Sequence, residues 1–463
     1  MTLIKSISGI RGTIGGITGI NLTPLDIVKF AAAYGTWLKA KNQNEKIKII
    51  IGRDARLSGS MVSGLISNTL LGLGIDVIDL GLSTTPTVEL AVVREAVHGG
   101  VIVTASHNPK EWNALKLLNH TGEFLNAEAG SKIIALAERN AFEFAEIENL
   151  GSYTVNTTAI EAHIDEVLAL EHVSVEVIKA RGFKVVLDAV NSTGGIAIPA
   201  LLERLGVTCI PMYYEPTGDF PHNPEPLAEH LTEISKRVVE EQADLGFVVD
   251  PDVDRLAIVN EDGTMFGEEY TLVACADYIL NKTPGTTVSN LSSTRVLNDV
   301  TAGYNQSYYP SAVGEVNVVS KMKEVGAVIG GEGNGGIIYP ESHYGRDALV
   351  GIALFLSHLA ETGKSCKELR ESYPAYFIAK EKLELPAHTN IDELLSQIQQ
   401  IYANEEVNTI DGTKIIFENK EWVHIRKSNT EPIVRIYAES ISSKQAEELA
   451  QLMMKIISKL TLT

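Results

Sequence analysis

The sequence predicts an α/β protein: three similar α/β units followed by a smaller C-terminal α+β domain. Three observations carry this. Short apolar strands alternate with helical stretches up to about residue 371. Two helix-to-strand junctions look alike, Leu71-Gly72-Leu73-Gly74-Ile75-Asp76-Val77 and Leu202-Glu203-Arg204-Leu205-Gly206-Val207-Thr208. From residue 372 onward the rhythm changes to strands following one another directly.

Taken in order, Lys46–Ile51 reads as a strand ending in Gly52-Arg53-Asp54, Ser58–Leu73 as a helix and Ile75–Leu80 as the next strand. The same unit recurs as strand Phe183–Leu187, helix Ile196–Leu205 and strand Val207–Tyr213. A weaker third pass comprises Thr286–Leu291, a helix through Leu297 to Tyr304, and strand Ala327–Ile329. In the tail, Ile391–Tyr402 reads as a helix. Thr413–Phe417, Trp422–Arg426 and Ile433–Glu439 read as strands, and Ser443–Leu460 as a closing amphipathic helix. The expected domains are 1–154, 155–258, 259–371 and 372–463.

Length and composition bound the function. The chain has 463 residues, 44% hydrophobic and 21% charged, which are ordinary globular values. Its net charge of −20 argues against a general nucleic-acid binder, which needs a basic face. Cys209, Cys275 and Cys366 are far apart and form no C-x-x-C pair, so a disulfide framework or structural zinc is not expected. The start of the chain lacks a signal-peptide pattern. The strongest apolar run, Ala348–Leu356, is too short for a membrane span. The expectation is a cytoplasmic protein with no membrane partner.

Four loops carry chemistry. Thr104-Ala105-Ser106-His107-Asn108-Pro109 follows the apolar strand Val101–Val103. A serine there suits a nucleophile or phosphate carrier, and equally a helix cap. Lys116 follows and offers a proton or a positive charge. Asp250-Pro251-Asp252-Val253-Asp254-Arg255 alternates three carboxylates, hard oxygen ligands suited to Mg²⁺. It is not an EF-hand, because Arg255 stands where that loop needs glycine. Gly330-Gly331-Glu332-Gly333-Asn334-Gly335-Gly336 contains G-x-G-x-x-G, but no helix follows it. It reads better as a tight loop presenting Glu332 and Asn334 to hydroxyl groups. Arg426-Lys427-Ser428-Asn429-Thr430-Glu431-Pro432 offers a guanidinium, hydroxyls and turn amides, the parts of a phosphate cradle or of a plain polar turn.

The order of these loops, with Ser8-Gly9-Ile10-Arg11-Gly12 near the start, resembles the α-D-phosphohexomutase superfamily over essentially the whole chain. Within it the chain is most similar to phosphoglucosamine mutases, in the branch whose sugar loop reads Gly-Glu-x-Asn-Gly-Gly. Phosphomannomutase/phosphoglucomutase enzymes are close neighbours. The resemblance implies three α/β domains with mixed sheets and a smaller fourth domain around a central cleft. It implies a small-molecule sugar phosphate as partner, Mg²⁺ as cofactor, and a hexose 1,6-bisphosphate as intermediate and activator. A monomer or homodimer is expected.

Residue by residue, the resemblance makes Ser106 the phosphoserine and, through its phosphate, a metal ligand with Asp250, Asp252 and Asp254. Lys116 becomes the general acid/base, its pKa expected to be lowered by Arg11 and Arg255. Those arginines would support the transferring phosphate, with His107 beside it. Glu332 and Asn334 would contact sugar hydroxyls. Arg426, Ser428, Asn429 and Thr430 would hold the distal phosphate. Many relatives carry histidine where this chain has Gly336, and His343 is the substitute on offer. The expected activity interconverts a hexosamine 6-phosphate, glucosamine first, with its 1-phosphate. Alternatives are a phosphomannomutase/phosphoglucomutase and, more remotely, a sugar-phosphate phosphatase or a non-catalytic sensor.

Overall fold

The structure, a computed structural model, describes residues 2–6, 9–43, 45–386, 389–427 and 433–461. Four sheets follow one another along the chain. The first has seven strands in the order Ile4–Ser6, Gly9–Thr13, Trp112–Leu118, Gly99–Val103, Lys48–Arg53, Asp76–Leu82, Tyr153–Val155. Its centre is parallel, while Trp112–Leu118 and the two N-terminal strands run antiparallel. Ile49 and Ile51 join one apolar cluster and Ile50 the other, because successive side chains point to opposite faces. Helices cover both faces, which explains the unbroken apolar run in this strand. Gly9 lies where the first hairpin crosses Leu115. Its φ is +132° and a Cβ there would stand 2.1 Å from the Leu115 carbonyl oxygen, so only glycine fits.

The second sheet orders Leu256–Asn260, Leu245–Val249, Lys184–Asp188 and Thr208–Met212. The third orders Tyr308–Ser311, Thr287–Asn290, Ile329–Glu332 and Gly336–Ile338. Each is parallel except for one terminal hairpin partner. The fourth is a five-stranded antiparallel sheet backed by helices Ile391–Ile401 and Ser443–Leu460. The three mixed α/β sheets and the antiparallel tail are as the sequence led us to expect. The 154/155 limit falls inside strand Tyr153–Val155, and the 258/259 limit inside Leu256–Asn260, because pairing holds each strand together past the change in composition.

The apolar run near residue 350 is helix Ala348–Thr362, buried from Ala348 to Leu359. It packs against helices Glu268–Lys282, Val175–Arg181 and Ala159–Ala169. One continuous apolar cluster, from Ile164 to Tyr373, therefore runs through both the second and third sheets' units. The fourth unit has a core of its own, and the first has two clusters, the smaller of which also takes in Ala159 from helix Ala159–Ala169. Among the described residues no helix is long and apolar enough to cross a membrane. The three cysteines are free thiols.

Candidate active site

Three of the four loops occupy the same place in their units: the tip between a strand and its antiparallel neighbour. The serine loop joins Gly99–Val103 to Trp112–Leu118. The acidic loop joins Leu245–Val249 to Leu256–Asn260. The sugar loop joins Ile329–Glu332 to Gly336–Ile338. All three tips converge.

Ser106 sits in the left-handed region at φ 50°, a strained conformation that needs support. Thr104 Oγ1 donates to Asp54 Oδ2 (2.6 Å) and accepts from the Ser106 amide (2.9 Å). Arg56, paired with Asp54 at 3.0 Å, donates to the carbonyls of Ser106, Asn108 (2.7 Å), Pro109 (2.7 Å) and Trp112 (3.0 Å). One buried guanidinium thus clamps the whole loop. Ser106 Oγ donates to Asp250 Oδ2 at 2.7 Å and lies 3.4 Å from His107 Nδ1.

The acidic loop turns at Val253, φ 65°, so that Asp250 Oδ1 accepts the amides of Asp254 and Arg255. Asp252 Oδ2 accepts from Thr85 Oγ1 (2.6 Å) and Lys116 Nζ (2.7 Å). Asp254 Oδ2 accepts from Arg346 Nη2 (2.7 Å) and Lys116 Nζ (3.4 Å). The other oxygens, Asp252 Oδ1 and Asp254 Oδ1, are buried with no hydrogen-bond partner. Ligand atoms of the three aspartates lie within 4.8 Å of one another. Orphaned buried carboxylate oxygens at that spacing fit a hard divalent cation such as Mg²⁺. Burial, reinforced by Asp254 and Asp252, pushes the Asp250 carboxyl well above its ordinary value, the strain such a cation relieves.

The expected lowering of Lys116 is not what the structure shows. Burial pulls its ammonium down, but Asp252 and Asp254 together outweigh burial, and the net direction is upward. Its nearest charges are the carboxylates rather than Arg11 and Arg255. Arg11 is held below its usual value by burial, then by Arg255 and Arg346. His107 is held well below, by burial and by Arg255, Arg11 and Arg346, so its imidazole is neutral at physiological pH. Arg255 Nη1 lies 3.7 Å from Glu225 and its buried Nε 3.9 Å from Asp254 Oδ1, too far for a hydrogen bond. Crowded cations whose field reaches His107, the residue after the serine, suit an incoming phosphate.

Glu332 is more constrained than a free sugar contact. Its Oε1 accepts from Asn290 Nδ2 (2.9 Å) and the Gly314 amide (3.2 Å), its Oε2 from Arg346 Nη1 (2.9 Å). Asn334 Oδ1 is buried without a hydrogen-bond partner, close to Gly336. His343 lies between Glu89 (3.3 Å) and Asp347 (3.2 Å). Burial lowers it, but the hydrogen bond to Asp347 and the pairing with Glu89 prevail and raise its pKa to about 10. A histidine so held stays charged and makes a poor proton shuttle. Arg426, next to last in strand Trp422–Lys427, lies 4.0 Å from Asp411, and its buried Nε has no hydrogen-bond partner. Ser428, Asn429 and Thr430 lie outside the described residues. Sequence reading missed Arg56, Thr85, Glu315 and Arg346, none of which stands in a motif.

The chain matches the phosphoglucomutase/phosphomannomutase family in all four of its domains: alpha/beta/alpha domain I at residues 3–144, domain II at 161–263, domain III at 267–376 and the C-terminal domain at 383–456. It is 33% identical over 454 residues to a phosphoglucomutase/phosphomannomutase of Thermococcus kodakarensis, covering 97% of this chain and 98% of that one. It is 32% identical over 453 residues to a phosphoglucosamine/phosphogalactosamine mutase of Sulfurisphaera tokodaii, covering 96% and 97%. A crystal structure of a phosphoglucomutase/phosphomannomutase family protein from Burkholderia thailandensis shares the fold, with a TM-score of 0.85 at 24% identity over 99% of this chain and 98% of that one. With every domain matched in order and relatives about a third identical end to end, the chain belongs to the phosphoglucomutase/phosphomannomutase family.

Proposed function

We propose that the protein interconverts glucosamine 6-phosphate and glucosamine 1-phosphate through a phosphoserine at Ser106 and a 1,6-bisphosphate intermediate. The observation that carries this is the contact between Ser106 Oγ and Asp250, made across two domains, beside Lys116 and the cations Arg11 and Arg255. A sensor has no use for a strained serine set against an acidic triad.

In the first half-reaction the bond from phosphorus to Ser106 Oγ breaks and a bond to the sugar's free hydroxyl forms. The hydroxyl proton leaves and Oγ gains one. Lys116 is placed to hold and pass that proton. Its ammonium must first release one, which weaker contact with either aspartate would favour. Arg11 and Arg255 stabilise charge on the moving phosphoryl group, the dominant need of such a transfer. Asp250, Asp252 and Asp254 would hold Mg²⁺, together with an oxygen of the phosphoserine. When bound, that ion supplies Lewis-acid stabilisation of phosphate charge. Glu332 and Asn334 orient the sugar ring, and Arg426 with Ser428, Asn429 and Thr430 receives the distal phosphate. The second half repeats the transfer in reverse after the bisphosphate has turned.

The names of the relatives divide between phosphoglucosamine mutase and phosphoglucomutase/phosphomannomutase, so glucose or mannose is the second reading. Phosphorus NMR of the protein with glucosamine, glucose and mannose 6-phosphates, each with Mg²⁺ and a trace of bisphosphate, tests both. The 1-phosphate of glucosamine is expected to appear fastest. Faster turnover of glucose or mannose selects the second reading, and steady release of inorganic phosphate overturns both. Ser106→Ala is expected to abolish turnover.

A further inference from the structure

We propose that Arg346 is a positioning residue that locks sugar-facing Glu332 and metal-facing Asp254 into one fixed relation, an inference that rests on the site reading above. Glu315 anchors it twice, accepting from the Arg346 amide (3.0 Å) and from Nε (3.1 Å). That leaves Nη1 for Glu332 (2.9 Å) and Nη2 for Asp254 (2.7 Å). Each nitrogen of one planar group serves a different carboxylate, and all four side chains are buried. Only a guanidinium can do this. A lysine is a point charge on a flexible stem and cannot span three acceptors in fixed geometry. The contact also settles which Asp254 oxygen stays free. Oδ2 is spent on Arg346 and Lys116, and Oδ1 is the orphan.

Gly336 belongs to the same device. A Cβ at 336 would stand 2.3 Å from Arg346 Cδ, 3.1 Å from its Cγ and 3.1 Å from Asn334 Oδ1, so the arginine stem is the nearest obstacle. The arginine's stem therefore fills the space that a histidine side chain would start from at this position. The departure at Gly336 is half of a pair: the loop gives up a side chain, and Arg346 takes the room. The site gains a rigid link between its sugar loop and its acidic loop.

Arg346→Lys keeps the positive charge and loses the fork. Calorimetric titration with Mg²⁺ alone is expected to show about tenfold weaker binding, the usual scale for losing a group that orients a metal ligand. The KM for sugar phosphate should also rise about tenfold, with the melting temperature little changed. Gly336→Ala gives an independent reading. Its methyl group displaces the arginine, lowering kcat/KM at least tenfold in the wild-type background and less than twofold in Arg346→Ala. Unchanged Mg²⁺ binding and KM in Arg346→Lys, or equal losses from Gly336→Ala in both backgrounds, overturn the proposal. If Arg346→Ala fails to fold, the Arg346→Lys titration decides alone. A wild-type protein that makes no 1-phosphate overturns the function above, while the Mg²⁺ titration still decides the role of Arg346.

Discussion

Replacing Arg56 with methionine should loosen the serine loop without touching the reacting atoms. Arg56 and Asp54 form an ion pair whose side chains are both fully buried, and removing one partner of such a pair costs about 3–5 kcal/mol. The four loop carbonyls also lose their donor. Water entering the vacated space recovers part of that, so the local loss is set at about 4 kcal/mol rather than a sum. At about 1.4 kcal/mol per decade, this is roughly a 10³-fold fall in protection of the amides of residues 104–118. Hydrogen exchange read by mass spectrometry measures it locally, without assuming that four domains unfold together. The double variant Asp54→Asn/Arg56→Met removes the stranded charge and should regain about tenfold in protection. Turnover of Arg56→Met should fall about 10²-fold, the scale for a displaced reacting group. Protection within threefold of wild type would refute the clamp.

Other outcomes follow from the same geometry. Asn334→Ala removes a buried, unpaired acceptor in the loop proposed to hold the sugar, and should raise KM about tenfold with a smaller change in kcat, read by steady-state kinetics. Removing divalent ions with a chelator should stop turnover, and added Mg²⁺ should restore it. Lys414 is buried under Trp422, donates to the Leu291 carbonyl at 2.8 Å, and burial pulls its pKa down to about 8. Its folded pKa is below its unfolded one, so the unfolded chain binds the extra proton and wild-type stability rises as pH climbs from about 8 toward 10.5. Lys414→Met lacks that rise. The stability difference between the two, from denaturant titrations at pH 7 and pH 10, should shift by about 2.5 kcal/mol in favour of wild type.

The repeating units and the chemistry-bearing loops were legible because each leaves a local trace. Alternating apolar strands declare a covered sheet, and Asp-x-Asp-x-Asp declares a charge density that needs a counter-ion. The supports left no such trace. Arg56 acts by reaching carbonyls about fifty residues further along the chain, and a lone arginine after Asp54 looks like any surface cation. Thr85 meets Asp252 only because two domains close on one another. The proton affinity of Lys116 is hidden for a related reason: sequence order does not show that Asp252 and Asp254 are the charges its ammonium touches. Gly336 was visible as a departure, but its cause lay ten residues on, in a side chain whose direction no spacing rule fixes.

The apolar cluster shared by the second and third units has an engineering consequence. Helix Ala348–Thr362 packs against helices of both, so neither unit owns a complete interior. Cutting the chain between them would expose two raw apolar faces, and each fragment should aggregate rather than fold. The tradable modules are therefore the first unit, the joined pair and the tail. A chimera meant to alter sugar preference by importing a relative's third unit would have to import the second with it, carrying the acidic loop along. Sugar choice and metal chemistry would then be exchanged together, as one cassette.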